Sequence, residues 1–429
     1  MKIGKVELLA FIVLVSHWSS SSAWFGDKHK KERKSVLAGE ATSSSWVLNR
    51  VGSSLLFRVH GNVYPVGFYN VTMNIGHPPR PYFLDIDSGS DLTWLQCDAP
   101  CTRCSETPHP LYQPSNDLVP CKDPLCASLQ PSEDYECQNP DQCDYEITYA
   151  DHYSSLGVLV RDVFILNFTN GIQLKVRMAL GCGYDQIFPA SSYHPLDGVL
   201  GLGRGKTSLI SQLNGQGLAR NVVGHCLSAQ GGGYIFFGDV YDSSRLIWTP
   251  MTSKDHSKHY SAEAAELIFG GKAMAVASPV TFDSGSSYTY FNSNSYQALI
   301  SWLKKELNRK PVKEAPDDLT VPVCWHGKRP FKRISDARKY FKPLVLGFTR
   351  GGGGEAKFEI PPEAYLIIST KGNACLGILN GSAVGMGDTN LIGDISMLDK
   401  VMVFDNEKQL IGWAPANCDR VPKFRGVSI

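Results

Sequence analysis

Two nine-residue stretches decide the fold: Ile86-Asp87-Ser88-Gly89-Ser90-Asp91-Leu92-Thr93-Trp94 and Phe282-Asp283-Ser284-Gly285-Ser286-Ser287-Tyr288-Thr289-Tyr290. Five of the nine positions are identical, and three others are apolar or aromatic in both copies. An apolar segment precedes each copy, so we expect a strand to carry each Asp into a tight turn that requires glycine. One Asp-Ser-Gly would usually be a surface turn, whereas two copies in matching context indicate an internal repeat.

A second repeated element lies downstream of each copy. Residues 199–201 and 391–393 are each an apolar pair followed by glycine. Gly201 follows Asp87 by 114 residues, and the matching glycine follows Asp283 by 110 residues. The similar spacing predicts two like halves with the same internal arrangement.

Two like halves can bring equivalent carboxylates, here Asp87 and Asp283, face to face. Carboxylates about 3 Å apart do not both ionise easily, so we expect the pair to share one proton. The ionised member can take a proton from a bound water while the protonated member donates a hydrogen bond to a substrate carbonyl. Ser88 and Ser284 can hydrogen-bond backbone across the symmetry axis. We expect no metal and no cofactor in this chemistry.

Length and composition favour a two-lobed, mostly β protein. The 429 residues exceed the usual size of one hydrophobic core, and 43% of them are hydrophobic. Partly alternating runs at residues 68–76, 144–149 and 357–360 predict strands, punctuated by 40 glycines and 25 prolines. Helical periodicity is confined to residues 295–308 and a shorter segment at 207–213.

The N-terminus is typical of an exported precursor. A basic region, an apolar stretch at residues 8–15 and small residues at 21–23 predict a signal peptide over residues 1–23. The apolar stretch is too short to cross about 30 Å of hydrocarbon, so we expect no membrane anchor. Residues 24–60 carry a charge run and a serine-rich segment, and we interpret them as a flexible arm and propeptide.

The overall charge gives no reason to expect nucleic acid or a membrane surface as a partner. The formal net charge is +1, from 42 basic and 41 acidic residues. Beyond the predicted propeptide, we place an N-terminal lobe at residues 61–250 and a C-terminal lobe at residues 251–429.

The cysteines favour disulfides in an oxidising compartment, because all twelve lie beyond the predicted signal. Nine precede residue 250 and three follow it. Both numbers are odd, so full pairing requires at least one bridge between the halves. Residues 97, 101, 104 and 121 could instead bind zinc, since close cysteine spacing suits a tetrahedral site. The cysteines are Cys97, Cys101, Cys104, Cys121, Cys126, Cys137, Cys143, Cys182, Cys226, Cys324, Cys375 and Cys418.

Several runs make the chain resemble the pepsin-like aspartic proteases, and among these the plant nucellin-like and nepenthesin-like branch. The runs are residues 87–97, 180–185, 195–205, 224–227 and 282–291, within a resemblance that extends from about residue 54 to residue 418. It implies a bilobal fold with a cleft between the lobes and one catalytic Asp from each lobe. It also implies an endopeptidase that cleaves polypeptides at acidic pH and is made as a zymogen.

The resemblance assigns roles to residues around the pair. Tyr149 matches the tyrosine of a mobile β-hairpin flap, and Trp94 matches the aromatic residue that supports it. Ser90 and Ser286 match hydroxyl residues that hydrogen-bond the outer carboxylate oxygens. The predicted substrate-binding and flap residues are Tyr149, Gly89, Ser90, Trp94, Gly285 and Ser286, with Ser88 and Ser284 supporting the pair.

The resemblance also implies part of the disulfide framework. Residues 97–143 resemble the disulfide-rich insertion of the nepenthesin-like branch. Cys226 with Cys418 would bridge the lobes, and Cys324 with Cys375 would close the second lobe.

The sequence departs from the family pattern in two places. Ser88 stands where threonine is common, which keeps the hydroxyl and loses a methyl group. Residues 150–153, Ala-Asp-His-Tyr, replace a glycine-rich flap tip with a bulkier one. The second departure leaves the substrate preference and the flap mobility open.

Other functions fit the residues less well. A catalytically silent, inhibitor-like binding protein would tend to lose an Asp, its glycine or the flap tyrosine, and all of these are present. A carbohydrate hydrolase also uses paired carboxylates, but the twin turns argue against it. Residues 200–207 nearly form a phosphate-binding loop, although Leu200 stands where glycine is required. His256 and His259 could ligate a metal, but their polar surroundings favour surface histidines.

We expect a monomer that acts on polypeptide substrates in the secretory pathway. The extracellular space (the apoplast) is the first choice of compartment and the vacuole is the alternative. Glycosylation sequons begin at Asn70, Asn167 and Asn380.

Overall fold

The computed structural model describes most of the chain beyond the predicted propeptide. The described residues are 54–130, 137, 140–150, 152–187, 196–252, 259–263, 266–269, 271–275, 279–349 and 354–422. The predicted signal peptide, most of the predicted propeptide, Asp151 and His256 lie outside them.

Strands dominate the described residues, and the predicted mostly β class is correct. The strands are β1 Leu55–Asn62, β2 Phe68–Ile75, β3 Arg80–Asp87, β4 Trp94–Gln96, β5 Asp144–Thr148, β6 Ser154–Asn167, β7 Gln173–Ile187, β8 Gly198–Gly201, β9 Val222–Leu227, β10 Gly233–Phe237, β11 Ile247–Pro250, β12 Tyr260–Ala262, β13 Glu266–Phe269, β14 Lys272–Ala275, β15 Val280–Phe282, β16 Thr289–Phe291, β17 Val312–Glu314, β18 Cys324–Gly327, β19 Leu344–Thr349, β20 Glu355–Ile360, β21 Leu366–Ile368, β22 Ala374–Leu376, β23 Ile378–Asn380, β24 Asn390–Ile392, β25 Lys400–Asp405 and β26 Leu410–Pro415. The α-helices are α1 Pro124–Ala127, α2 Leu209–Gly215, α3 Ser293–Leu307, α4 Ile334–Ala337 and α5 Asp394–Met397.

The internal repeat seen in the sequence has a counterpart in the strand topology. In the first half, β3 pairs in parallel with β8, which pairs antiparallel with β4, which pairs in parallel with β7. In the second half, β15, β24, β16 and β23 pair in the same order and directions. Trp94 faces Val199 in one half and Tyr290 faces Leu391 in the other. Each apolar-glycine element is therefore the strand that lies between the two arms of an Asp turn.

One large sheet contains strands from both halves. Its order is β11-β26-β25-β9-β10-β1-β2-β3-β8-β4-β7-β6-β5. Three smaller sheets complete the second half, with the orders β12-β15-β24-β16-β23, β14-β13-β19-β20 and β17-β18-β22-β21. The β9–β25 pairing, in register from Val222 with Asp405 to Cys226 with Val401, joins the two halves.

Helix α3 forms where the sequence predicts it. It begins at Ser293, after Asn292 caps the helix by accepting a hydrogen bond from the Ser295 backbone N–H at 2.9 Å. Leu299, Leu303 and Leu307 are buried, which is the apolar stripe that packs the helix on the second half. The shorter prediction at residues 207–213 corresponds to α2.

The boundary that composition predicts at residue 60 falls within strand β1. Leu55 to Val59 pair with β10, and Val59 to Asn62 pair with β2. Leu55 and Val59 are buried. A cut at residue 60 would remove most of a strand that is paired on both sides, so we propose that the mature N-terminal lobe begins before Leu55.

The twelve cysteines form six disulfides. Their number indicates folding in the secretory pathway, where the oxidising environment maintains such bonds. Cys226–Cys418 links the halves over 192 residues, and Cys324–Cys375 lies within the second half. These are the two pairs that the resemblance implies. Because Cys97, Cys101, Cys104 and Cys121 are all in disulfides, the zinc alternative is wrong. The remaining pairs are Cys97–Cys182, Cys101–Cys104, Cys121–Cys137 and Cys126–Cys143.

Within the part of the chain that the structure describes, no helix is both long and apolar enough to cross a bilayer.

Candidate active site

The two repeated turns bring their carboxylates together at the junction of the halves. Asp87 ends β3 and Asp283 follows β15, and their exposed fractions are 6% and 9%. The charge of Asp283 acts on Asp87, as expected of neighbouring carboxyl groups. A Cβ atom placed on Gly89 would lie 2.6 Å from Asp283 Oδ1, and one placed on Gly285 would collide with Asp87 Oδ1. Each turn therefore passes directly beside the carboxylate of the other.

Each carboxylate accepts hydrogen bonds from the same two kinds of donor, a glycine N–H and a serine hydroxyl. The backbone N–H of Gly89 donates to Asp87 Oδ1 at 2.8 Å, and the Ser90 hydroxyl donates to Asp87 Oδ2. In the second turn, Gly285 N–H donates to Asp283 Oδ1 at 2.9 Å and Ser286 Oγ donates to Asp283 Oδ2 at 2.8 Å. These bonds fix both carboxyl planes before any substrate binds.

A reciprocal serine pair locks the two turns to each other. Ser88 N–H donates to Ser284 Oγ at 3.1 Å, and Ser284 N–H donates to Ser88 Oγ at 2.9 Å. Each hydroxyl then donates onward to a carbonyl of the opposite strand, Ser284 to Ile86 at 2.9 Å and Ser88 to Phe282 at 3.3 Å. Serine therefore makes every one of these bonds without the methyl group of threonine. Both serines are 1% exposed, so the network is shielded from water.

Burial and the neighbouring charge change the acidity of the pair. Burial, followed by the charge of Asp283, raises the pKa of Asp87 to about 8, although its hydrogen bonds from Ser90 and Gly89 act in the opposite direction. Because the two facing carboxyl groups titrate together, the pair retains one proton well above the pH at which a free aspartate loses its proton.

The retained proton predicts a pH dependence of stability. A raised carboxyl pKa stabilises the fold at low pH, and this contribution is lost as the pH rises from about 4 to about 8. We expect the free energy of unfolding of the wild type to fall by up to about 1.4 kcal/mol per pH unit more than that of Asp87→Asn in this window. Urea unfolding at several pH values measures the difference, and parallel curves would contradict the raised pKa.

The predicted flap is a hairpin, in which β5 pairs with the start of β6 and the described turn residues include Tyr149, His152 and Tyr153. Tyr149 N–H donates to the Tyr153 carbonyl at 2.8 Å and closes the turn. Trp94 Nε1 donates to the Tyr149 hydroxyl at 2.7 Å, which is the supporting contact expected from the sequence. His152 has a left-handed backbone conformation with φ of 66°. The flap tyrosine is thus held on the N-terminal half, over Asp87.

Tyr153, which the sequence places in the flap tip, makes supporting contacts that sequence reasoning missed. Its ring stacks on Tyr149 with centroids 5.3 Å apart and lies 5.8 Å from the Trp94 ring. Its hydroxyl donates to Gln186 Oε1 in β7 at 3.2 Å. An aromatic residue five positions after Thr148 gives no signal of such a role in the sequence, because two of its partners, Trp94 and Gln186, come from the separate strands β4 and β7.

We expect Tyr153→Phe to loosen the flap while the stacking remains. One lost hydrogen bond contributes about 1 kcal/mol, so kcat/KM should fall about fivefold and amide hydrogen exchange should increase in residues 144–157. Hydrogen-exchange mass spectrometry and peptide cleavage measure both effects.

Tyr112→Phe is the matched control, because it removes a tyrosine hydroxyl bonded to Asp162 at 2.7 Å, away from the flap. Equal exchange in the flap for both variants would show that Tyr153 has only a packing role.

A second pair of acids lies behind the carboxylates and was not predicted. Asp85 precedes Asp87 by two positions on the same face of β3, and it lines the cleft. Asp394, at the start of α5, is 1% exposed and its Oδ1 has no hydrogen-bond partner among the described residues. Burial, followed by the charge of Asp85, raises the pKa of Asp394 well above its usual range. The charges of Asp283 and Asp87 act in the same direction, so Asp394 belongs to the same acidic group.

The cleft is a cavity of about 1640 Å³ that both halves line. It runs from the flap past both Asp turns to residues 383–391 of the second half. Its wall includes apolar side chains on both sides, which are Leu129, Ile147, Leu196, Val199, Tyr288 and Leu391. A peptide in extended conformation could therefore contact both carboxylates and several apolar subsites.

The two other candidate sites differ in their position relative to the cleft. In the loop at residues 200–207, Gly205 N–H donates to Asp91 Oδ1 at 2.7 Å, so the protein's own carboxylate occupies the place of a phosphate. His259 lines the cleft and is exposed.

The three sequon asparagines differ in exposure. Asn167 is exposed at the end of β6, and its Oδ1 accepts a hydrogen bond from Gln173 at 2.8 Å. Asn70 and Asn380 are half-buried, and Asn380 Oδ1 accepts from Ser293 Oγ at 3.1 Å.

Known proteins share this chain's sequence over most of its length. The xylanase inhibitor N-terminal family matches residues 69–239, and the xylanase inhibitor C-terminal family matches residues 271–415. An aspartic proteinase of Oryza sativa subsp. japonica is 47% identical over 385 residues, which cover 86% of this chain and 93% of that protein. Aspartic proteinase 39 of Arabidopsis thaliana is 28% identical over 444 residues, covering 97% of this chain and 89% of that protein.

Solved structures share the fold. Basic 7S globulin from soybean superposes with a TM-score of 0.65 at 17% identity, covering 86% of this chain and 98% of that one. Conglutin gamma from lupine seeds gives a TM-score of 0.65 at 17% identity, covering 85% and 95%. Together with the family matches over both halves and the 47% identical relative, these similarities show that the chain belongs to the pepsin-like aspartic protease family, among the members with xylanase inhibitor N-terminal and C-terminal domains.

Proposed function

We propose that the chain is an aspartic endopeptidase that hydrolyses peptide bonds with a water held between Asp87 and Asp283. The observation that carries the proposal is the pair of buried, facing carboxyl groups, each fixed by a glycine N–H and a serine hydroxyl. The rice relative at 47% identity is an aspartic proteinase, which supports the same activity here.

The chemistry follows from one proton shared by two acids. The ionised carboxylate takes a proton from the water, whose oxygen forms a bond to the scissile carbonyl carbon. The protonated carboxyl group gives its proton to the carbonyl oxygen, which yields a neutral tetrahedral diol. In the breakdown the C–N bond breaks, the nitrogen takes a proton from the protonated carboxyl group, and one diol hydroxyl gives its proton to the ionised carboxylate, so the pair again holds one proton. Tyr149 closes the flap over the substrate.

The test is cleavage of a denatured protein substrate from pH 3 to pH 7 by the chain freed of its propeptide. We expect cleavage at acidic pH that a statine-type inhibitor blocks, because the inhibitor's hydroxyl occupies the position of the water. Product sequencing should place apolar or aromatic residues beside the cut, matching the apolar cleft wall. A folded protein that cuts nothing under these conditions would contradict the proposal.

A binding function without catalysis is the second candidate. The family that matches both halves bears the description of xylanase inhibitors, and the structural neighbours include a seed globulin. The complete set of Asp, glycine and serine residues argues for catalysis. A folded protein that fails the cleavage test would favour the binding function over catalysis.

We further propose a secreted monomer that is made as a zymogen, with the extracellular space as its compartment and the vacuole as the alternative. Only Asn167 among the sequons presents an exposed side chain in the folded protein, so we expect a glycan there and not on Asn70 or Asn380. In protein secreted from plant cells, Asn167→Gln should remove one glycan mass, and Asn380→Gln should leave the mass unchanged. Glycopeptides containing Asn380 would contradict this assignment.

A further inference from the structure

The C-terminal half contains a strongly basic segment that the cleft does not use. Residues 304–342 hold twelve lysines and arginines against five aspartates and glutamates, a local net charge of +7. The whole chain is +1, so the other 390 residues carry a net charge of −6. All of residues 304–342 are described, and none of them lines the cleft.

Contacts gather this segment at one end of the lobe. Lys310 Nζ donates to the Tyr340 carbonyl at 2.7 Å, which ties the end of α3 to the chain after α4. Lys310 and Lys342 also share Glu306, with Nζ–Oε distances of 2.8 and 3.1 Å. The Phe331 ring lies 6.1 Å from the Tyr340 ring. The stretches around residues 309, 331 and 340 are therefore neighbours.

The β17–β18 hairpin adds further cations to the same end. Val312 pairs with Gly327 in antiparallel register, so Lys328 and Arg329 leave the hairpin beside the end of α3. Lys313 faces His326 across the hairpin. Cations that are spread over 39 residues of sequence are thus carried by neighbouring stretches of the fold.

Seven of these cations have no acidic partner. All seven are exposed, and no carboxylate among the described residues lies within 4 Å of their nitrogens. Lys305 lies one turn earlier on α3. The other six form what we call the basic surface: Arg309, Lys313, Lys328, Arg329, Lys332 and Lys339. Concentrated like charge destabilises a fold through self-repulsion. The rest of the chain is acidic, so the presence of such a basic surface favours a role in binding an anion.

We propose that the basic surface binds a polysaccharide that carries carboxylate groups, outside the cell. A polymer suits the surface because its cations are spread along a hairpin and two loops and do not converge on one point. The six disulfides place the folded chain in an oxidising compartment, away from nucleic acids. Only one large apolar side chain of the segment, Leu319, is exposed, which is too little for insertion into a membrane.

Binding there would leave proteolysis intact, since the surface and the cleft share no residue. The partner would hold the protease in a polyanionic matrix and leave the cleft open to polypeptides. The inference does not depend on the proposed peptidase activity.

The test measures binding of the full chain to polygalacturonate near pH 6, with dextran as the neutral polymer and phosphatidylserine vesicles as the anionic membrane. The variant is Lys328→Glu/Arg329→Glu/Lys332→Glu. The matched control is Arg58→Glu/Lys122→Glu/Lys175→Glu, which makes the same change in net charge at exposed positions of the other half.

We expect the wild type to bind polygalacturonate and not dextran, with an affinity that falls as salt is added. The triple variant of the basic surface should bind about a hundredfold more weakly, since each cation near an anionic surface contributes roughly fivefold. The control should bind like the wild type. Equal loss in the control, or wild-type binding to vesicles but not to polygalacturonate, would overturn the proposal.

Discussion

Replacing Asp283 with asparagine should reduce kcat/KM for a peptide substrate by about 10⁴-fold, because an amide cannot accept the proton of the attacking water. Asparagine has nearly the same shape: its Oδ1 can still accept from Gly285 N–H, and its Nδ2, which replaces Oδ2, can donate to the Ser286 hydroxyl. Asp87→Asn should cause a loss of similar size, since the two carboxyl groups act as one unit and their effects are not additive. A peptide that fluoresces on cleavage, measured at pH 4 to 6, gives the rates.

The control for this prediction is another buried aspartate of the N-terminal half. Asp162 is 4% exposed and accepts a hydrogen bond from Tyr112, away from the cleft. Asp162→Asn should change the unfolding midpoint and leave kcat/KM within about threefold of the wild type. Cleavage by Asp283→Asn at the rate of Asp162→Asn would exclude the two-carboxylate mechanism.

Gly89→Ala should reduce kcat/KM by roughly a hundredfold, for a geometric reason. The new Cβ would lie 2.6 Å from Asp283 Oδ1 and 2.8 Å from its Cγ, in the space that the water needs. The opposite carboxylate must shift, and a displacement of about 1 Å in such a site costs roughly a hundredfold in rate. The backbone of Gly89 is not left-handed, so alanine adds no strain to the turn itself.

Gly215→Ala provides the matched comparison. Gly215 ends α2, and a Cβ there meets nothing within 4 Å. The substitution should leave the cleavage rate unchanged. Near-ultraviolet circular dichroism should show both variants folded, so that a difference in rate reports the site alone. A fully active Gly89→Ala would mean that the turn and the opposite carboxylate are farther apart than the structure places them.

The repeat made the pairing of Asp87 with Asp283 predictable from the sequence, because two similar turns in matching strands can face each other in few ways. Ser88 and Ser284 could be assigned for the same reason. Tyr153 could not be assigned, because its role depends on stacking with Tyr149 and on a hydrogen bond to Gln186, and both contacts form only in the folded hairpin. Asp394 stands 307 residues from Asp87 in the chain. No periodic pattern indicates that its carboxyl group lies buried beside the pair.

The boundary at residue 60 was predicted from composition, and it falls within strand β1. Residues 55–60 follow a polar arm, and their alternation is short, so nothing local marks them as a central strand. The basic surface was hidden for a related reason. The net charge of +1 for the whole chain is the sum of a positive charge on residues 304–342 and a negative charge on the rest. The total does not show that the positive charge is concentrated in one segment.

The order of strands in the large sheet has a consequence for how the protein is made. β1 pairs with β10, which is synthesised about 180 residues later, and β9 pairs with β25, near the end of the chain. Neither pairing can form until the later strand has been synthesised. Until residues 400–405 emerge, a nascent chain exposes the edge of β9 and an unpaired Cys226. Unpaired edges promote association between chains. The newly made polypeptide therefore depends on chaperones and disulfide exchange through nearly the whole of its translation, and truncation before residue 400 should yield insoluble protein rather than a shorter enzyme.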